Sequence, residues 1–330
     1  MTVSIIIATK TWQKNLEECV NRCRHLDSVD FEIIILPDEP IESLNAADLR
    51  IIPTGPISPA YKRDIGMQYA KGDILAFIDD DAYPNPDWLK NALENFKYDN
   101  IAAVGGPAIT PESDTLRQKA GGIIYACWLV SANRNYRYVP KKKRQVDDFP
   151  TCNLLVRKTI MQRLGGFDTE FWPGEDTKLC MDITSLDKKI IYDPRVLVYH
   201  HRRPVFLAHL RQVANYALHR GYFVKRFPET SFRWSYFVPS IFLICIVIGG
   251  MFSFCLPFFR SIYFKVIFLY LFIVLIFSIL GVLKEKNVKY LFQRTILSVM
   301  VALGIILTHL VYGLYFLRGL SSHKLKEEKR

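Results

Sequence analysis

Apolar residues are spaced in two different ways along this chain, and the change falls near Trp234. Before it, short apolar runs alternate with charged and turn-forming residues, the pattern of elements that bury one face in a water-exposed fold. Thr2–Thr9, Phe31–Leu36, Leu49–Pro53, Ile74–Ile78 and Ile101–Gly105 are apolar and β-branched and read as buried strands. Between them, Leu16–Leu26, Ser58–Ala70 and Asp87–Phe96 carry helical spacing. Strands alternating with helices predict an α/β fold with a parallel-rich, Rossmann-like sheet covered on both faces. In such sheets ligands bind beyond the carboxyl ends of the strands. Three polar clusters stand there: Thr9-Lys10, Asp38-Glu39 and Asp79-Asp80-Asp81.

Further along, Asn133–Gln145 is basic and aromatic without apolar periodicity and reads as a loop. Thr151–Val156 is a predicted strand, Lys158–Leu164 a helix stopped by Gly165-Gly166, and Trp172–Asp176 leads into a helix reaching about Leu186. Short strands follow at Ile190–Tyr192 and Val196–Tyr199, ending on His200-His201, and Pro204–Phe223 is a helix with an apolar face.

Beyond Trp234 the stretches Val238–Phe259, Val266–Leu283 and Ile296–Leu317 carry no Lys, Arg, Asp or Glu. A helix rises 1.5 Å per residue, so roughly 20 apolar residues cross a ~30 Å hydrocarbon core. Three membrane helices are therefore expected, at 238–259, 262–283 and 296–317, the second extended if Lys265 snorkels. His309 in the last is either a functional polar site or, more simply, a packing histidine bonded to a neighbour. The predicted layout is an α/β domain over 1–203, an interfacial amphipathic helix and linker over 204–235, membrane helices over 236–318 and a basic tail over 319–330.

Charge raises a question about that layout. The 330-residue chain has a net charge of +11, which we assign to juxtamembrane residues facing anionic lipid; no nucleic-acid partner is expected. Ser4–Ala8 is too short for a signal-peptide core, so the first domain is expected in the cytosol of a multi-pass cell-membrane protein, with its cysteines reduced. The loop Lys284–Lys289 with Arg294 then falls inside, as the positive-inside rule prefers. Three crossings, however, put the tail with Arg318 and Lys324 outside. Either the tail tolerates this, or one segment is re-entrant or interfacial.

The sharpest chemical feature is Asp79-Asp80-Asp81. Adjacent carboxylates repel, and a divalent cation resolves the repulsion; oxygen ligands suit Mg²⁺ or Mn²⁺, which also engage phosphate. The run Lys62-Arg63-Asp64-Ile-Gly66, then Gly72-Asp73, Ile74–Ile78 and Asp79-Asp-Asp81, then Pro84-Asn-Pro86-Asp-Trp88, resembles the core signature of glycosyltransferase family 2. There, a helix with an Arg-Asn-x-Gly-like element precedes a strand ending in a DxD motif; Asp64 stands where Asn is usual. The resemblance runs from Val3 to Tyr222. It implies a GT-A type domain, a nucleotide-diphospho-sugar donor and Mg²⁺ or Mn²⁺ as cofactor. Thr9 and Asp38 match positions that hold base and ribose, although Asp38 lies in Leu-Pro-Asp-Glu instead of Asp-Asp-Gly-Ser and its register is open. Arg63, Asp79 and Asp80 fall on the donor side, and Asp81 with the metal.

Gly166-Phe-Asp168 through Phe171-Trp172-Pro-Gly174-Glu175-Asp176 resembles the family's acceptor-side element. By that likeness Asp176 is the base, Glu175 supports it or touches the acceptor, Gly174 lets backbone approach closely, and Trp172 lies on the acceptor side. A metal-binding histidine is implied at His200 or His201, His200 being preferred. Gln212-Val-Ala-Asn215-Tyr216 is similar to the QxxRW element of processive members, with Asn and Tyr replacing Arg and Trp. That departure favours enzymes that add one sugar, such as succinoglycan-type transferases. The resemblance thus implies an inverting, metal-dependent transferase acting on a lipid-linked saccharide at a membrane. Its rivals are a polyprenyl-phosphate glycosyltransferase, a processive polysaccharide synthase and a catalytically silent membrane scaffold.

Overall fold

A computed structural model of the protein describes residues 1–27, 29–41, 48–167, 169 and 171–325. Asp168 and the end of the basic tail, with Lys326, Lys329 and Arg330, lie outside the described residues. The chain forms two compact units, one from Met1–Ile109 with Val139–His201, the other from Thr110–Tyr138 with Arg202–Leu325.

The first unit holds strands β1 (Val3–Ala8), β2 (Phe31–Leu36), β3 (Leu49–Ile51), β4 (Ile74–Ile78), β5 (Ala82–Pro84), β6 (Ile101–Gly105), β7 (Ala108–Ile109), β8 (Arg144–Val146), β9 (Asn153–Arg157), β10 (Lys189–Tyr192) and β11 (Val198–His200). Its first helices are α1 (Lys14–Cys23), α2 (Pro59–Tyr69) and α3 (Trp88–Asn95). The main sheet has the order β3-β2-β1-β4-β9-β6-β10-β8. β1, β2, β3 and β4 pair in parallel, and the central β1 and β4 are the near-continuous apolar strands, buried on both faces, that such sheets require. Val3, Ile5 and Ile7 alternate onto one face with Ile33, Ile35, Ala76 and Ile78, where they pack on Leu16 and Val20 of α1 and Trp88 of α3.

The predicted strand near Thr151 exists as β9, but it runs antiparallel between β4 and β6. Direction is set by the chain's route into a strand, which a run of apolar residues does not record. Asn153 at its start is fully buried and satisfied: it accepts from Trp88 Nε1 (2.8 Å) and donates to the carbonyls of Gly106 and Val196 (2.8 Å each). The segment 133–145 is not all loop. It holds a 3₁₀ turn over Ala132–Arg137 and reaches into the edge strand β8, whose backbone pairs with β10 although Arg144 and Gln145 are polar and exposed.

A second, three-stranded sheet, β5-β11-β7, matters most for the site. β11 pairs antiparallel with β5, setting His200 opposite Ala82, one residue after the acidic triplet.

In the second unit, α4 (Leu116–Ala126) opens on a Thr115–Gln118 capping box. That start is legible in sequence, while the helical spacing behind it is blurred by Gly121-Gly122. The short α5 (Trp128–Ser131) follows, and in the first unit α6 (Lys158–Leu164) and α7 (Glu175–Ser185) precede α8 (Leu207–Arg226) and α9 (Pro228–Ser231) of the second. Three helices then come that are long and apolar enough to cross a membrane: α10 (Trp234–Cys255), α11 (Pro257–Leu283) and α12 (Leu291–Ser321). The first expected stretch, 238–259, is thus cut at Leu256. Pro257 holds the residue before it in an extended conformation, φ −125° and ψ 105°, and then opens α11 from the first helical position. His309 is a packing residue. Its Nε2 can only donate to the Leu129 carbonyl (3.0 Å), so Nδ1 accepts from Tyr270 Oη (3.0 Å).

Candidate active site

Ile78 ends β4 in the core, and the next three residues turn out of it as Asp79, Asp80 and Asp81. Asp79, Asp81 and His200 each offer one ligand atom, all within 4.8 Å of one another. His200 Nε2 lies 2.9 Å from Asp81 Oδ1. Two carboxylate oxygens and an imidazole nitrogen at that spacing fit one coordination sphere with bonds of about 2.1 Å. His201 points its ring at α1, with Nε2 3.1 Å from Glu18 Oε2, and its backbone N–H donates to the Asp81 carbonyl (2.9 Å).

The middle carboxylate plays a different part. Asp80 Oδ2 accepts from Thr9 Oγ1 (2.6 Å) and Gln13 Nε2 (3.1 Å), linking the acidic turn to the end of β1. Burial first, then the neighbouring Asp81 and Asp79, push its pKa up to about 6 against the pull of those two hydrogen bonds. A carboxyl raised above its unfolded value of 3.8 costs stability when ionised, and the cost fades as pH falls through 6. In EDTA, Asp80→Asn should therefore stabilise the protein by about 1–3 kcal/mol at pH 7.5. Its advantage over the wild type should shrink in thermal melts taken toward pH 4.5.

Lys62 organises the next part of the site. It is buried on α2, and its ammonium donates to the Thr9 carbonyl (2.6 Å), the Leu36 carbonyl (3.2 Å) and the Asp38 carboxylate. Three donors meet three acceptors, so the ends of β1 and β2 are held at a fixed separation. Thr9 is itself buried, and Asp38 follows β2 with its backbone N–H on the Lys10 carbonyl. No sequence motif assigns Lys62 a role, yet the signal exists. It stands one helical turn before Gly66, where an added Cβ would sit 2.8 Å from Ile6 Cγ2 of the sheet, so its side chain shares the inward face.

Arg63 joins the two halves. Its guanidinium is buried and donates from Nη2 to Asp79 Oδ1 (2.9 Å) and from Nη1 to Glu175 Oε1 (3.0 Å). Burial opposes its charge, but Asp79 and Glu175, with Asp176 beyond them, outweigh it and hold the pKa above the ordinary value. The other oxygen of Glu175 accepts from the Gly174 N–H (3.0 Å). Both carboxylate oxygens of Glu175 thus accept hydrogen bonds at the start of α7. Gly174 precedes α7 with φ 126°, a conformation open to glycine. Asp176 is half-buried next in the helix, with Oδ1 accepting from the Thr177 N–H (2.7 Å), and Trp172 is half-buried just before it. Asp64, where Asn is usual, accepts from the Phe167 N–H (2.8 Å). Gly166 is required there, since a Cβ would sit 2.4 Å from Asp64 Oδ1.

The expected site residues therefore form a connected set within one unit. Asp38 is tied to Thr9 through Lys62, Thr9 to Asp80, Asp81 to His200, and Asp79 through Arg63 to Glu175 and its neighbour Asp176. Residues 4–165 match the family model described as glycosyl transferase family 2. These residues are a glycosyltransferase family 2 domain. The domain's relatives include a Methanococcus voltae protein, the dolichyl N-acetyl-alpha-D-glucosaminyl phosphate 3-beta-D-2,3-diacetamido-2,3-dideoxy-beta-D-glucuronosyltransferase, 22% identical over 88% of this chain and 90% of that one. Another is the pre-mycofactocin glycosyltransferase of Mycobacterium tuberculosis, 26% identical over 44% of this chain but only 30% of the relative's own length. The succinoglycan biosynthesis protein ExoM of Rhizobium meliloti is 28% identical over 34% of this chain and 37% of its own. Among solved structures, the mannosyltransferase PcManGT from Pyrobaculum calidifontis, in complex with GDP-Man and Mn²⁺, superposes with a TM-score of 0.54 at 15% identity, covering 98% of this chain and 88% of that one. At that identity the likeness is one of fold, GT-A-like with long apolar helices after the glycosyltransferase domain.

Proposed function

We propose that the protein is an inverting glycosyltransferase that moves one sugar from a nucleotide-diphospho-sugar to a lipid-linked saccharide at the cytosolic face of the cell membrane. The observation that carries this reading is Arg63, which fixes the Asp79–Asp81–His200 group against the Glu175-Asp176 element. Asp38, Thr9 and Lys62 line the nucleoside end, and Arg63 and Asp79 stand toward the diphosphate. Asp176 accepts the proton of the acceptor hydroxyl as that oxygen bonds to the anomeric carbon. The bond from that carbon to the diphosphate oxygen breaks with its electron pair going to the leaving group, and configuration inverts. Asp81 and His200, with Asp79, would hold Mg²⁺ or Mn²⁺, which supplies positive charge for the departing diphosphate. The Methanococcus voltae relative, whose name states a dolichyl phosphate-linked saccharide acceptor, supports the lipid-linked class. PcManGT, solved with GDP-Man and Mn²⁺, supports the donor and metal class.

The test is a panel of nucleotide sugars offered to membranes containing the protein, with lipid-linked saccharide or bare polyprenyl phosphate as acceptor. One donor should be consumed in the presence of the saccharide acceptor and Mn²⁺ or Mg²⁺, with a single sugar added, and EDTA should stop it. Transfer to bare polyprenyl phosphate alone would replace the acceptor reading. Long polymer would point to a processive synthase, and no donor binding at all to a silent scaffold.

A further inference from the structure

Three apolar helices counted as three crossings put the two ends of α12 on opposite membrane faces. Packing within the second unit puts them on one. Helix α10 leaves the charged α8–α9 segment, and α11 brings the chain back antiparallel to it. Tyr263 Oη donates to the Ile246 carbonyl (3.1 Å), and farther along the rings of Tyr270 and Phe242 lie 4.5 Å apart. At 22 and 27 residues, these helices measure about 33 and 40 Å, enough for a ~30 Å core. Trp234 and Leu283 therefore mark the near face, and the break at Leu256 marks the far one.

A third crossing would carry the end of α12 to Leu256. Instead that end packs on the start of α10. Phe316 meets Phe237 edge-on at 5.0 Å, and Ser240 Oγ donates to the Gly313 carbonyl (3.0 Å). The same turns lie on the end of α8: a Cβ at Gly319 would sit 2.0 Å from the Leu218 carbonyl oxygen, and Lys225 Nζ donates to the Ser322 carbonyl (2.8 Å). Since His209 Nε2 pairs with Thr308 Oγ1 (2.9 Å) near the start of α8, the two helices run side by side in the same direction.

Helix α8 carries Arg211 near its start and Lys225 and Arg226 at its end, all exposed. Charges at both ends of a helix of this length do not fit upright in hydrocarbon together with the Arg220 between them. The helix therefore lies at the interface, and α12 lies beside it. The first half of α12 is flanked likewise by α4: Ala120 and Ile124 cluster with Leu297, Val301 and Ile305. What remains of α12 is one exposed apolar stripe, Phe292, Ile296, Val299, Leu303 and Leu314, at helical spacing.

We propose that the chain crosses the membrane twice, through α10 and α11, and that α12 lies along the near face with this stripe set into the lipid surface. The inference rests on the membrane reading above and changes its topology. It returns Arg318 and Lys324 to the side that holds Lys284, Lys286, Lys289 and Arg294, leaving Arg260 and Lys265 toward the far side. The positive charge is then gathered on one face, as orientation of short loops requires.

The experiment adds one cysteine at a time to the full chain and labels sealed membrane vesicles with an impermeant maleimide, the unaltered chain serving as the blank. Tyr98→Cys reports the first unit, Phe258→Cys the far turn and His323→Cys the end of α12, all at exposed positions that leave folding undisturbed. In vesicles where Tyr98→Cys is labelled, His323→Cys should be labelled too, and Phe258→Cys only after detergent opens them. Protection of His323→Cys in those vesicles would overturn the two-crossing layout while leaving the membrane reading intact. Labelling of Phe258→Cys together with Tyr98→Cys would instead sink the crossing itself. Trypsin added to the same vesicles holding the unaltered chain gives a second measure: it should cleave at Lys324, and a protected Lys324 counts against the proposal.

Discussion

Asp176→Asn is expected to abolish sugar transfer while leaving donor binding unchanged. A general base contributes about 10²–10⁴-fold to rate, and loss of the proton acceptor should remove that factor from kcat. The substitution suits the question because Asn keeps the shape and the carbonyl oxygen. The short contact from the Thr177 N–H to Oδ1 (2.7 Å) can persist, so α7 should start as before. Donor affinity should hold, because the residues on the donor side are tied to one another through Lys62, Thr9 and Asp80 without Asp176. Glu175→Gln is the contrasting variant. It should lower thermal stability, since Glu175 is buried and both its oxygens are committed to Arg63 and Gly174. Measuring nucleotide-sugar binding by calorimetry and transfer in a radiolabel assay separates the two. Full transfer activity in Asp176→Asn would remove the proposed base.

Much of this site is legible in sequence because it sits where the local rules are strong. A buried β-strand running into three aspartates locates the end of β4, and a glycine followed by two acidic residues locates the start of α7. What brings them together is not local. Asp79 and Glu175 are 96 residues apart in sequence, and their meeting depends on Arg63 of a third element. The choice between His200 and His201 is likewise invisible in sequence, where both follow one strand. Pairing of β11 with β5 decides which of the two points at Asp81 and which at Glu18. Strand direction escaped for the same reason: β9 has the composition of the parallel strands β1 and β4 and differs from them in the path that leads into it. The apolar helices show the opposite limit. Their length and composition are plain in the sequence, but whether α12 crosses depends on what lies beside it, and α8 and α4 come from segments far upstream.

Arg63→Met should be the most destabilising single change in the site, by about 3–5 kcal/mol, because removing one partner of a buried ion pair strands the others. Arg63 is 4% exposed and Glu175 6%, so water cannot replace the lost guanidinium at Glu175 without opening the structure around the start of α7. Asp79, whose side chain is 32% exposed, can recover part of its solvation. The cost should therefore centre on Glu175, and the double variant Arg63→Met with Glu175→Met should recover a large part of it, a coupling that a double-mutant cycle reads directly. Arg63→Lys should fall between wild type and Met. A lysine keeps the charge, but as a single point it cannot reach Asp79 and Glu175 from separate nitrogens at 2.9 and 3.0 Å. Its activity should be low even where it is folded, because the acidic turn and the Glu175-Asp176 element would no longer share one rigid tie. Thermal melts in detergent, taken with and without Mn²⁺, test both halves of the expectation. If Arg63→Met melts with the wild type and still transfers sugar, Arg63 is not what holds donor side and acceptor side at working distance.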